Sequence, residues 1–132
     1  MTQELVEGYQ ARYARAQGEA ERAVRLATFG SAEAGGWTTI RQVEQLTSRL
    51  GLSPGKRLLD VGSGRGWPGL ELSRLTGCDT VLSDVPVAGL ASACARADAD
   101  PVLRRVSFVR ASGTALPFRA GAFDAIVHTD VL

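Results

Sequence analysis

Apolar positions change their spacing along the chain, and each change marks an element. Residues 3 to 28 are polar and alanine-rich, with Leu5, Tyr9 and Tyr13 at helical spacing. This predicts one amphipathic helix, weakened by Gly8 and Gly18. Tyr9 and Tyr13, four residues apart, read as a packing pair on its face. The small-residue stretch FGSAEAGGW (29–37) predicts a loop. Ile40, Val43, Leu46 and Leu50 then share one helical face, which predicts a second helix over 38–50 with Thr38 or Thr39 as its cap. GLSPGK (51–56) turns the chain.

The period then shortens. RLLDV (57–61) is apolar without alternation, as in a strand buried on both faces of a parallel sheet. Pro68 suits the first turn of a helix that runs to Thr76. CDTVLSDV (78–85), VSFVRA (106–111) and FDAIVHTD (123–130) read as strands, and VAGLASACARADA (87–99) as a helix. The order helix, helix, then β-α-β-α-β-loop-β predicts an α/β fold. Its expected core is a Rossmann-like open parallel sheet of four strands, with right-handed crossovers, preceded by N-terminal helices.

Composition narrows the function classes. A chain of 132 residues with 45% hydrophobic content suits one domain with a real core. The net charge of +1, without a basic stripe, argues against nucleic-acid binding. No apolar run has the length of a membrane span, and the N-terminus does not read as a signal peptide, so a cytoplasmic location is expected. Cys78 and Cys94 read as small reduced residues rather than a metal pair. With His128 the single histidine, no protein-built transition-metal site is expected.

The candidate chemistry lies in LLDVGSGRGWPGL (58–70). Gly62, Gly64 and Gly66 follow the first strand, at the carboxyl edge where such sheets bind ligands. Glycine lets backbone approach a ligand closely, and the next helix offers unpaired N–H groups. Such a loop alone fits nucleotides, dinucleotides and other cofactors. Here the spacing is G-x-G-x-G, and the third position of the dinucleotide fingerprint falls on Trp67. Asp60, two residues before Gly62, would repel a pyrophosphate and suit a cation such as an ammonium group, so its carboxyl is expected to face the cleft. Asp84 ends the second strand 22 residues after Gly62, where an acid accepts from ribose hydroxyls. An ammonium and a ribose without a phosphate describe S-adenosylmethionine.

With these residues in place, the chain resembles the N-terminal part of a class I S-adenosylmethionine-dependent methyltransferase. LLDVGSGRG resembles that family's first motif, VLSDV its acidic second-strand motif, and ASGTALPFRAGAFDAIVHTDVL (111–132) the segment between the third and fourth strands. The resemblance implies Asp60, Gly62, Ser63, Gly64 and Gly66 at the methionine end of the cofactor. It places Asp84 at the ribose, and adds Val85 to the cofactor-binding set. The adenine contact falls to Ser112, where the family usually offers a carboxylate, or to Gly113 and Thr114; serine lacks the charge-assisted strength. FGSAEAGGWTT resembles a helical lid, with Gly36, Trp37 and Thr38 as its contacts or as plain packing. Trp67 packs on the cofactor or on the sheet.

Residues 1–52 thus read as a lid or cap segment, and 53–132 as a partial S-adenosylmethionine-binding domain. The implied reaction is in-line methyl transfer to a small-molecule acceptor. A base is needed only if the acceptor loses a proton, and His128 and Asp130, at the end of the fourth strand, are the candidates. Family members continue with further strands, so the chain is expected to be a piece of a longer protein. Otherwise it is a short form whose apolar fourth strand is a surface for self-association. Two other readings remain at this point. One is a binding module that holds S-adenosylmethionine without chemistry. The other is an NAD(P)-dependent oxidoreductase, opposed by Asp60 and the glycine spacing.

Overall fold

The computed structural model of the chain describes residues 1–129. Three helices come first: α1 (Gln3–Ala14), α2 (Glu19–Phe29) and α3 (Ile40–Arg49). The single helix expected over 3–28 is therefore two. The backbone is extended at Arg15 (φ −72°, ψ 131°) and at Gly18 (φ −71°, ψ 159°), the N-cap of α2. Gly8 is tolerated inside α1, whereas Gly18 marks a helix start. α3 begins two residues later than expected, at a capping box. The Thr39 hydroxyl accepts the Gln42 N–H, and the Gln42 side-chain oxygen accepts the Thr39 N–H at 2.8 Å.

The sheet follows: β1 (Arg57–Val61), α4 (Gly69–Thr76), β2 (Asp79–Asp84), α5 (Val87–Ala99), β3 (Val106–Arg110) and β4 (Ala125–Val127). Pro68 is the N-cap of α4 rather than part of its first turn. A 3₁₀ turn at Pro101–Leu103, capped by the Asp100 side chain, is an element that periodicity does not predict. All pairings are parallel, and the strand order is β3-β2-β1-β4. Strand order therefore reverses between β1 and β4, and the glycine loop stands at that reversal.

Registered neighbours in a parallel sheet share a face, and alternate residues share it too. Leu58 and Asp60 thus lie on one face with Thr80, Leu82, Ala125 and Val127. Both apolar clusters sit on this face. One joins Leu58, Leu72, Ala125 and Val127 to Val43 of α3. The other joins Leu82 to Leu70 of α4 and to Leu90 and Ala93 of α5. The opposite face carries Leu59, Val81 and Ile126, and Ile126 is 56% exposed.

β4 is shorter than the expected 123–130. Asp124 is tied to the start of β1 instead: its carboxylate accepts the Arg57 N–H, and its own N–H donates to the Arg57 carbonyl, both at 2.8 Å. Phe123 turns edge-on to Phe118, with ring centres 5.0 Å apart. Among the described residues, no helix is long and apolar enough to cross a membrane.

Candidate functional site

Gly62, Gly64 and Gly66 have φ of 72°, 53° and 99°, a region that side-chain-bearing residues rarely adopt. These conformations turn the loop's N–H groups inward. Gly62 and Ser63 both donate to the Ser83 carbonyl, at 2.8 and 3.1 Å, and Gly66 donates to the Ser63 carbonyl at 2.7 Å. Gly64 donates to Asp84 Oδ2 at 2.7 Å. Phosphate-binding loops aim successive N–H groups at the ligand. Here four of the loop's amides are already consumed, so the loop is not built to cradle a pyrophosphate. What it offers instead is the Ser63 hydroxyl, buried with no hydrogen-bond partner among the described residues.

Close packing holds the loop in this shape. A methyl group at Gly66 would come within 2.6 Å of the Leu70 side chain, and one at Gly89 of α5 within 2.6 Å of the Gly64 carbonyl oxygen. One at Gly69 would meet Leu82 and the Asp60 carboxylate, at 2.5 and 2.6 Å. These three glycines let α4 and α5 approach the strand ends.

The two carboxylates behave differently. Asp84 is buried, and both its oxygens are committed, Oδ2 to the Gly64 N–H and Oδ1 to the Val85 N–H at 2.8 Å. Burial raises its pKa above the ordinary carboxylate value, while these two amides oppose the rise. Asp60 is 1% exposed, and its Oδ2 accepts the Gly69 N–H at 2.9 Å. Burial pushes its pKa well above the ordinary value; the Gly69 amide lowers it, and the nearby Asp84 charge adds to the rise. The expectation that this carboxyl faces the cleft is corrected here. Asp60 shares the helix-covered face of the sheet with Leu82, and the first turn of α4 takes up its carboxylate. It braces the loop from beneath.

A cleft of about 440 Å³ opens at the carboxyl edge. Gly62, Ser63, Gly64 and Trp67 form its floor, Tyr13 and Trp37 stand along its sides, and Thr129 lies at the end of β4. Gly36 and Trp37 of the expected lid do line it. Thr38 ties that segment to the loop, its carbonyl accepting the Trp67 indole N–H at 2.9 Å. Trp67 is itself buried in the core. Arg12 also lines the cleft, and Arg15 and Arg25 pair there with Glu21 at 3.1 and 3.4 Å.

Other expected residues fall elsewhere. His128 is exposed and does not line the cleft, because the alternation of β4 turns Val127 inward and His128 out. Thr129 takes the place that sequence reasoning gave to His128. Asp130 lies outside the described residues. Ser112 and Thr114 bond to each other through their hydroxyls at 2.9 Å, and Gly113 lies against Val61 at the end of β1. That position is at the carboxyl edge but outside the open cleft. Val85 contributes the amide that holds Asp84, and its carbonyl accepts from Arg110. Tyr13, Arg65 and Thr129 were missed. Only Tyr13 carried a signal, an aromatic on a helix that precedes the glycine loop.

A family model described as a methyltransferase domain matches residues 58–132. The chain belongs to that methyltransferase family. Over 86 residues it is 39% identical to "Methyltransferase GfsG" of Streptomyces halstedii, covering 65% of this chain and 31% of that protein. Among solved structures, it is similar to the [4+2]-cyclase SpnF at 30% identity and a TM-score of 0.62, covering 74% of this chain and 33% of that one. It is also similar to geranyl diphosphate C-methyltransferase of Streptomyces coelicolor, solved with geranyl diphosphate and S-adenosylhomocysteine. That match has 26% identity and a TM-score of 0.60, and covers 67% of this chain and 33% of the other. The chain thus spans about a third of the length of these proteins.

Proposed function

We propose that this methyltransferase domain binds S-adenosylmethionine and forms the cofactor-holding half of an enzyme that methylates a small-molecule acceptor. The observation that carries the reading is the glycine loop with its amides turned inward and the Ser63 hydroxyl left unpartnered at the cleft floor. A loop of this kind rejects phosphate and suits a ligand that brings its own ammonium or carboxylate to a hydroxyl. The residues fit such a cofactor. Ser63 and the Gly62–Gly64 backbone would hold its amino-acid end, and Asp84 would accept from its ribose.

S-adenosylmethionine, when bound, supplies a methyl group already activated on a sulfonium sulfur. The protein's task is to align and to exclude water, and well-placed alignment contributes on the order of 7–11 kcal/mol in favourable models. The rigid loop, packed against Gly89 and Leu70, keeps the donor end fixed. Trp37 and Trp67 both line the cleft. If the acceptor has a proton to lose, Thr129 at the cleft is placed to orient it, whereas exposed His128 is not.

Calorimetry with S-adenosylhomocysteine on the 132-residue chain tests the reading. Binding is expected, and Ser63→Ala is expected to weaken it by about 0.5–1.5 kcal/mol, the worth of one hydrogen bond. Absence of heat at saturating ligand would remove the cofactor. A second reading, a module that binds the cofactor without transferring its methyl group, is favoured by the similarity to a cyclase. Label transfer from methyl-labelled S-adenosylmethionine to acceptor, in the full-length protein, separates the two.

A further inference from the structure

The chain as a whole is close to neutral, with a net charge of +1. Its cleft is not. Arg12 of α1, Arg15 at its C-cap, Arg25 of α2 and Arg65 of the glycine loop all line it. Among the described residues, Glu21 is the one carboxylate that does so. Glu21 is already shared, pairing through Oε2 with Arg15 at 3.1 Å and through Oε1 with Arg25 at 3.4 Å. Arg65 spends one terminal nitrogen on the carbonyls of Arg12, Tyr13 and Arg15, which carry no charge. Its Nε is buried with no partner among the described residues. The Arg12 side chain has neither hydrogen bond nor ion pair among the described residues. Burial lowers the Arg65 pKa; Glu21 opposes the fall, and the charges of Arg15 and Arg25 add to it.

Guanidiniums held together in this way repel one another and raise the local concentration of anions. S-adenosylmethionine on the glycine loop would not fill the deficit. It has one carboxylate but also an ammonium and a sulfonium, and so enters as a net cation. A second ligand has to bring the negative charge. The guanidinium fork matches the oxygens of a carboxylate or a phosphate. Beside the arginines, the cleft presents Tyr9 and Trp37. The Tyr9 ring stacks on Tyr13 with centres 5.8 Å apart, and Trp37 is 79% exposed. Such rings suit an apolar or unsaturated body next to the charged group.

We propose that the methyl acceptor is an anion: a small molecule whose carboxylate or phosphate is held by Arg12, Arg15 and Arg25, with its body against Tyr9 and Trp37. This rests on the cofactor reading above. The anionic group is an anchor. It takes no part in bond making and leaves with the product unchanged.

Chemical-shift titration of amide and indole N–H groups tests this, on the 132-residue chain saturated with S-adenosylhomocysteine. The probes are phenyl phosphate, benzoate and, as the neutral control, benzyl alcohol. Signals of Gly36 and Trp37 are expected to move with either anion, less so with added salt, and not with the alcohol. The tighter of the two anions names the group. Arg12→Gln and Arg15→Gln should each weaken anion binding about fivefold, the upper end of what an exposed ion pair contributes. Glu21→Gln frees Arg15 and Arg25, and should strengthen binding by about the same factor. Arg22 does not line the cleft and pairs with Glu33 at 2.6 Å, so Arg22→Gln removes the same charge from elsewhere. Its affinity should stay within about twofold of the parent. Overhauser contacts between the phenyl protons and the methylenes beside the S-adenosylhomocysteine sulfur should place the anion next to the donor atom.

Equal binding of the alcohol overturns the proposal, as does an equal loss in Arg22→Gln, which would leave overall charge as the attraction. An anion that displaces S-adenosylhomocysteine also overturns it, since the arginines would then serve the cofactor's own carboxylate. So does an anion bound alongside but without contact to the sulfur methylenes. No anion binding while S-adenosylhomocysteine binds overturns the proposal and leaves the cofactor reading standing. No binding of S-adenosylhomocysteine removes both.

Discussion

The carboxylate of Asp60 accepts the backbone N–H of Gly69 at 2.9 Å. The last polar side chain of β1 thereby fixes the first turn of α4, and with it the far end of the glycine loop. Its hydrogen bond and its charge can be separated by substitution. Asp60→Ala leaves the Gly69 amide buried without an acceptor and is expected to destabilise the chain by about 1–3 kcal/mol. Asp60→Asn keeps an acceptor at that place, so the loop should keep its shape and S-adenosylhomocysteine should still bind. Urea unfolding and calorimetry on both variants check this. Loss of binding in Asp60→Asn with the fold intact would show that the charge itself reaches the ligand.

The pH dependence of the same residue follows from its raised pKa. In the folded chain Asp60 holds its proton to higher pH than in the unfolded chain, whose value is near the ordinary 3.8. The native state therefore binds more protons over that interval, and stability falls as pH rises through it. Asp60→Asn lacks this titration. Its melting temperature should approach that of the wild type in acid and exceed it increasingly as pH rises, levelling off once Asp60 ionises in the native state. Thermal melts between about pH 4 and 8 measure the difference. A gap that does not change with pH would mean the carboxyl keeps its ordinary value.

Two glycines with opposite surroundings give a paired prediction. Gly8 lies inside α1 with open space where a side chain would go, and alanine there should stabilise the helix by about 0.5–1 kcal/mol. Gly89 also lies inside a helix, but a methyl there would meet the Gly64 carbonyl oxygen at 2.6 Å. Backbone in a packed loop has little room to give. Gly89→Ala should therefore cost about 1–3 kcal/mol net, despite alanine's better helix propensity. Denaturant midpoints of the two variants should move in opposite directions. A gain from both would mean the loop shifts freely.

The strands, their succession along the chain and the glycine loop were legible because each depends on local pattern: an apolar run, a glycine triplet, a helix after it. What escaped depends on residues distant in the chain. The break between α1 and α2 lies where Arg65, some fifty positions later, collects the carbonyls of Arg12, Tyr13 and Arg15. The inward turn of Asp60 follows from the parity of β1 and from Gly69, whose missing side chain lets α4 come close enough to bind the carboxylate. Thr129 rather than His128 meets the cleft because Asp124, tied to Arg57, fixes where β4 begins and so which residues turn inward. A one-residue slip in that start would have exchanged the two.

Asp84 resembles Asp60 in sequence, since each is an aspartate at a strand end before a loop, yet asparagine should affect them unequally. Asp60 uses one oxygen to hold one amide. Asp84 uses both, holding Gly64 through Oδ2 and Val85 through Oδ1. An asparagine amide has one oxygen, so at position 84 its NH₂ must face one of these two N–H groups, donor against donor. The deserted amide is buried if it is that of Gly64 and half-buried if it is that of Val85, and the cost is expected to be about 1–3 kcal/mol, larger at Gly64. Asp84→Asn should thus loosen the loop, raise hydrogen exchange at Gly64 or Val85, and weaken S-adenosylhomocysteine binding more than Asp60→Asn does. Unfolding curves, amide exchange and calorimetry on the two asparagine variants side by side measure this. Equal losses at the two positions would mean that Asp84 acts through its charge alone and not through its paired grip on the loop.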